Sequence, residues 1–214
     1  MAQDECFDIF DEHMNPIGMA SRREAHEQGM WHRTFHCWVL RKGSSGWEIL
    51  LQLRHKDKDT YPGLLDVSSA GHLLAGEQVE DGVRELEEEL GIGVPYSELF
   101  FASVSADETF LPDGWIDREF SYIHLYACAL PLEAYKLQPE EVSGLLAVPV
   151  EEWEALVRGN AESASAHGII YDEWGHSPQK VGRRITLEDM TPNSQSYYDK
   201  LLAGIGQLTR GRNR

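Results

Sequence analysis

The sequence predicts an α/β fold in a single domain, on three observations. Runs enriched in branched and aromatic residues, at residues 34–41, 47–54, 99–104 and 120–130, have strand composition. Between the second and third of them, Val79, Val83, Leu86 and Leu90 recur at i, i+4, i+7 and i+11, which is one face of a helix over residues 79–90. The 214 residues, 42% apolar with six Trp, seven Phe and eight Tyr, supply one sizeable core.

Taken in order, residues 7–20 read as a hairpin around the polar turn Asp11-Glu12-His13-Met14-Asn15-Pro16, and the charged stretch 21–28 as a short helix. The runs 34–41 and 47–54 flank Lys42-Gly43-Ser44-Ser45-Gly46, a loop composition, and read as neighbouring strands. Pro62-Gly63 turns the chain into 64–69, and the loop from Gly71 delivers it to the amphipathic helix, which Gly91 ends. Pro149, followed by Glu151 and Glu152, opens another helix. A loop-rich segment is expected over 159–186, then a helix over 194–204 and a frayed basic tail over 210–214. The parts are an N-terminal hairpin and short helix (1–29), a core (30–158) and a C-terminal extension (159–214).

With 36 acids against 19 Lys and Arg, the formal charge of −17 repels nucleic-acid phosphate, so a polymeric nucleic acid is not expected as a partner. No run approaches the roughly 18 apolar residues of a membrane span, and the acidic N-terminus lacks the character of a signal peptide. Three cysteines, Cys6, Cys37 and Cys128, without metal-ligand spacing, fit a reducing, cytoplasmic setting. A phosphorylated small substrate would need cations recruited locally.

Residues 77–89 contain seven acids and one base, Arg84. Glu85, Glu88 and Glu89, spaced i, i+3 and i+4, share a helix face away from the apolar stripe. A solvated charged face is the ordinary explanation of such a run. Here, however, like charges at i and i+4 and acids near the helix C-terminus both destabilise the helix. A hard cation such as Mg²⁺ or Mn²⁺ reverses both effects.

The string from Gly71 through Glu77, followed by Arg84-Glu85-Leu86-Glu87-Glu88-Glu89-Leu90-Gly91-Ile92, closely resembles the Nudix box. That resemblance implies an α/β/α sandwich around a mixed sheet, and hydrolysis of a phosphoanhydride bond in a small diphosphate-containing metabolite. A nucleoside diphosphate derivative is the family-wide default substrate, and a homodimer is one possible assembly. It further implies Glu85, Glu88 and Glu89 as ligands of Mg²⁺ or Mn²⁺, the Gly71 carbonyl as a further ligand, and a Glu77–Arg84 brace. One spacing departs: six residues, not seven, separate Glu77 from Arg84.

Residues 47–72, with Tyr61-Pro62-Gly63 and Ser69-Ala70-Gly71-His72, look like the Nudix subgroup related to isopentenyl diphosphate isomerase. In that alignment His26, His32 and His72 match metal-site histidines, and Asp117 and Glu119 match an acidic pair. Ala70 stands where the isomerase has its catalytic cysteine, and a methyl group shuttles no proton. Cys37 replaces it only if the fold brings it to the site; otherwise it is core. As general base the order is Glu88, Glu119, Glu141. Arg54 and His72 are the candidate substrate contacts, with aromatics near Trp115 and Phe120 available to stack a base. The rivals to hydrolysis are an isomerase and a non-catalytic diphosphate-binding module.

Overall fold

Local chemistry sets the entry to the fold. The computed structural model describes residues 5–111, 114–171 and 178–211; the expected tail lies partly outside them. Strands β1 (Cys6–Phe10) and β2 (Pro16–Ser21) pair as the expected hairpin. In its turn the Asp11 carboxylate accepts from the backbone N–H groups of His13 and Asn15. Helix α1 (Arg22–Gln28) starts at a Ser21–Glu24 capping box and stops at Gly29, whose φ of 60° suits glycine.

Strand β3 (Trp31–Lys42) is the spine. It runs antiparallel to β4 (Trp47–Arg54) only at its C-terminal end, through Leu40–Ile49 to Lys42–Trp47. Where the two part, β5 (Leu65–Asp66) pairs with β4 and β6 (Ser69–His72) with β3. On its other side β3 pairs in parallel with β8 (Ile116–Ala127), which carries β7 (Phe100–Phe110) as its antiparallel neighbour. The sheet is therefore mixed, as expected.

The helix expected over 79–90 is corrected. Val79–Val83 form a 3₁₀ turn, and α2 proper is Arg84–Leu90. The reason lies in the six-residue spacing: five 3₁₀ residues at about 120° each turn through the angle of six α residues at about 100° each. Tighter winding thus replaces the missing residue and keeps Arg84 aimed at Glu77.

Two further corrections concern the second half. Strand β9 (Val142–Pro149), which the sequence reading passes over, pairs with β4 in the middle of the sheet. Leu145 and Ala147 enter one core and Leu146 and Val148 the other, so the run is apolar throughout and lacks the alternation that marks a strand. After α3 (Val150–Val157), residues expected to be loop-rich form the antiparallel pair β10 (Ala164–Ile170) and β11 (Gln179–Ile185), with β10 added beside β9. The final helix α4 runs over Gln195–Gly211, longer than expected and including the first residues of the supposed tail.

The sheet is covered on both faces. Trp153 of α3 and Tyr197 and Leu201 of α4 pack on Trp38, Ile123, Leu125 and Val148. On the other face Leu86 and Leu90 of α2 pack with Phe35, Val39 and Leu145. The β9–β10 pairing depends on Gly168, where an added Cβ would overlap the Leu145 carbonyl oxygen and stand 2.8 Å from Leu146 Cα. Gly168→Ala is expected to destabilise by about 3 kcal/mol, read as a fall in Tm. Gly182→Ala, whose Cβ would meet only the Ala166 carbonyl oxygen at 4.0 Å, should stay within about 0.5 kcal/mol of the parent.

Candidate active site

Side-chain alternation on two strands builds the floor. His32, Thr34 and His36 of β3 share a face, and the register sets His32 beside Glu119 and Thr34 beside Ser121 on β8. Across the other edge of β3, Thr34 faces His72 and His36 faces Ala70 on β6. Farther along β3 and β8 the same face becomes apolar, with Trp38 and Leu125 in the core. The polar half borders a cavity of about 660 Å³ lined by Arg54, Gly71, His72, Arg84, Glu85, Glu88, Glu89, Glu119 and Glu141, among others.

On one side of this cavity buried histidines converge. His26 Nδ1 donates to the Arg22 carbonyl (2.7 Å) and His32 Nδ1 to the Met30 carbonyl (3.0 Å), so that Nε2 of each ring faces Asp117 Oδ1, 3.5 Å from both. His72 Nδ1 accepts from Arg22 (3.3 Å), and its Nε2 stands 3.7 Å from Glu119 Oε1. His32 Nε2, His72 Nε2 and Asp117 Oδ1 are buried without hydrogen-bond partners, which is costly unless something else satisfies them. Phe7 stacks against both the His32 and His72 rings, at centroid distances of 5.1 and 4.6 Å, and those two rings lie 5.1 Å from each other. The ligating atoms of His26, His32 and His72, and those of His32, Asp117 and Glu119, cluster tightly enough to hold a metal ion.

Burial dominates the electrostatics. It drives His32 down to about 4 and, with the neighbouring His32 and Arg22, holds His72 well below the usual histidine range. Burial and then the Asp117 charge raise Glu119 well above the carboxylate range. Burial also works to raise Asp117, but His26 and His32 outweigh it and keep that carboxyl low.

On the other side stands α2, anchored by Leu86 and Leu90. Its Glu85 and Glu89 are buried, while Glu88 is exposed and Arg84 Nη1 approaches it at 3.4 Å. Burial pushes Glu85 up to about 7 and Glu89 to about 8. Glu89 accepts from the Ala70 N–H (3.1 Å) and lies 3.5 Å from Gln52 Nε2. Arg84 reaches Glu77 through Nε (3.0 Å) and Nη2 (3.2 Å), and the His72 carbonyl through Nη2 (3.1 Å). Glu77 in turn accepts from the Leu74 N–H (2.7 Å). Glycine at position 71 lets the Glu85 carboxylate lie against the β6 backbone, in space that a Cβ would occupy. The four residues of β6 therefore join the two sides: Ala70 holds Glu89 and the His72 carbonyl holds Arg84, while the His72 ring faces the histidines.

Several expected contacts are otherwise engaged. Arg54 lines the cavity, but its donors go to the Thr60 carbonyl and Asp66 (2.7 Å). Glu141 pairs with Lys58. Phe120 is buried and stacked on Trp31, away from the cavity, whereas Trp115 lines it and stacks on His26. Cys37 is buried on the opposite face of β3, and no cysteine is among the described residues lining the cavity. Sequence reasoning missed Thr34, His36 and Ser121; the strand alternation from His32 and Glu119 is the signal that could have found them.

A mixed sheet between helical layers opens into a carboxylate- and histidine-lined cavity, whose donors suit a divalent cation. The NUDIX domain family matches residues 30–167, and the chain belongs to that family and is a Nudix hydrolase. It is 39% identical over 203 residues to an uncharacterized Nudix hydrolase of Clostridium acetobutylicum, spanning 95% of this chain and 98% of that one. It is also 34% identical over 124 residues to an isopentenyl-diphosphate Delta-isomerase of Photorhabdus laumondii, 57% of this chain and 66% of that one. A crystal structure of a Deinococcus radiodurans protein shares the fold at a TM-score of 0.53 and 21% identity, covering 72% of this chain and 90% of that one. No described helix is long and apolar enough to cross a membrane.

Proposed function

We propose that this Nudix hydrolase cleaves the phosphoanhydride bond of a small diphosphate-containing metabolite, with nucleoside diphosphate derivatives as the first substrate class to test. One observation carries the reading: Glu85 and Glu89, four residues apart and buried, line the same cavity, and Arg84 is the cation bonded directly to Glu85. Buried carboxylates are stable only when paired or bound to a cation. Oxygen donors of this kind suit Mg²⁺ or Mn²⁺, with Glu88 and the Gly71 carbonyl beside them. A divalent cation bound there would neutralise diphosphate charge and acidify the attacking water.

The chain's own groups do the rest. Glu119 is the base we favour, ahead of Glu88 and Glu141. Burial and the Asp117 charge raise its carboxyl well above the usual range, which makes its carboxylate a stronger base. Glu88 is exposed beside Arg84, and Glu141 is held by Lys58. The Glu77–Arg84 brace fixes the loop against α2, and Arg54 keeps Thr60 and Asp66 in place at the cavity wall.

The converging Nε2 atoms of His26 and His32, with Asp117 between them, support a second cation site, with His72 and Glu119 beside it. This extends the likeness to the isomerase subgroup in ligands but not in chemistry, because Ala70 offers no thiol.

The test is phosphate release with Mg²⁺ from a panel of nucleoside diphosphate derivatives and isopentenyl diphosphate. Turnover that falls about 10²-fold or more in Glu119→Gln supports the reading. Proton exchange into isopentenyl diphosphate without phosphate release would establish the isomerase instead. Tight binding with no turnover across the panel would leave a binding module.

A further inference from the structure

The C-terminal helix reaches the cavity through one side chain. Tyr197 of α4 is 1% exposed, and its hydroxyl meets two groups of β3: Trp38 Nε1 at 2.9 Å and His36 Nδ1 at 2.8 Å. An indole N–H only donates, so the Tyr197 oxygen accepts from Trp38. Its own proton must then go to an acceptor, since a buried hydroxyl left unpaired is costly. Among the described residues the acceptor in range is His36 Nδ1. A neutral His36 that accepts at Nδ1 carries its proton on Nε2.

That Nε2–H faces Glu119 Oε2 at 3.9 Å. The same oxygen takes the Thr34 hydroxyl and the Ser121 hydroxyl, each at 3.4 Å. The three groups all address Oε2, and Oε1 is turned the other way, towards His72. At 3.9 Å the His36 contact is an electrostatic one, and the two hydroxyls are the hydrogen-bond donors. Burial keeps the His36 ring neutral, consistent with this arrangement.

We infer that His36, locked as the Nε2–H tautomer by Tyr197, is a positioning residue: with Thr34 and Ser121 it holds Glu119 Oε2 and so leaves Oε1 on the His72 side of the cavity. The inference rests on the reading of Glu119 as the base. It also assigns the C-terminal extension a part in the site, because the tautomer is set from α4. A merely structural Tyr197–Trp38 pair would make no demand on which His36 nitrogen carries the proton.

Two readouts test this. In the ¹⁵N-histidine-labelled protein, two-bond ¹⁵N–¹H correlations should show His36 with its proton on Nε2, and Tyr197→Phe should introduce the Nδ1–H form. In turnover of the best panel substrate, His36→Leu should lower kcat about 10- to 100-fold with KM unchanged, the range typical of residues that orient an active group. His36→Gln, which keeps an N–H near the Nε2 position, should recover most of that loss. Thermal unfolding of each variant separates loss of fold from loss of positioning. An Nδ1–H His36 in the parent protein, or parent-like kcat in a folded His36→Leu, overturns the inference. If no panel substrate turns over, the hydrolase reading fails and the NMR tautomer alone decides the placement of His36.

Discussion

Glu89→Gln is expected to lower Mg²⁺-dependent turnover about a thousandfold, which is about 4 kcal/mol of lost transition-state stabilisation. Glu89 is 5% exposed, accepts from the Ala70 N–H and lines the cavity. An amide there keeps the shape and removes the charge that a hard cation requires. Glu87→Gln, two residues earlier on the exposed side of α2, should leave turnover within about twofold, as surface changes usually do. The measurement is kcat against Mg²⁺ concentration for both variants. Parent-like turnover in Glu89→Gln at saturating Mg²⁺ would remove this carboxylate from the metal site.

The second large effect is on stability in the metal-stripped protein. Glu85 and Glu89 titrate near 7 and 8 when folded, against a carboxylate value of 4.5 when free. Between those values the folded state retains protons that the unfolded state has released, so stability falls as pH rises. Below about 6.5 the histidines oppose this, since His32 and His72 are depressed in the fold and bind protons on unfolding. At pH 6.5 the unfolded histidines are still half protonated, so their opposition fades only by about pH 7.5, above which the raised carboxylates, Glu119 among them, set the slope. From about pH 6.5 to 8.5 the Glu85 and Glu89 share of the loss amounts to about 3 kcal/mol, equivalent to roughly 6–12 °C in Tm before the histidine offset. Added Mg²⁺ should recover more of this at pH 8.5 than at 6.5, because it replaces the protons, and Glu89→Gln should flatten the slope. A Tm independent of pH over that window would show that these carboxylates are not held protonated by burial.

Much of the site was legible in the chain because it is local. Glu85, Glu88 and Glu89 sit within one helical turn of each other, so the 3.6-residue period alone places them on a face. The strand pair Asp117 and Glu119 follows in the same way from a period of two. The β9 run was not legible, because a strand buried on both faces carries no alternation. Nor was β10–β11, whose polar, glycine-containing residues resemble a loop until β9 provides an edge to pair with.

By itself, then, the sequence determined the α/β class, the carboxylate face of α2 and the absence of a thiol at position 70. Tertiary structure decided what those groups meet. It replaced a missing residue with a 3₁₀ turn so that Arg84 still reaches Glu77, and it gathered His26, His32, His72 and Asp117 from four separate elements. It also brought Tyr197, 161 positions away in the chain, against His36. Periodicity reports which face a side chain occupies, whereas convergence of several elements depends on how the faces pack, and no local spacing encodes that.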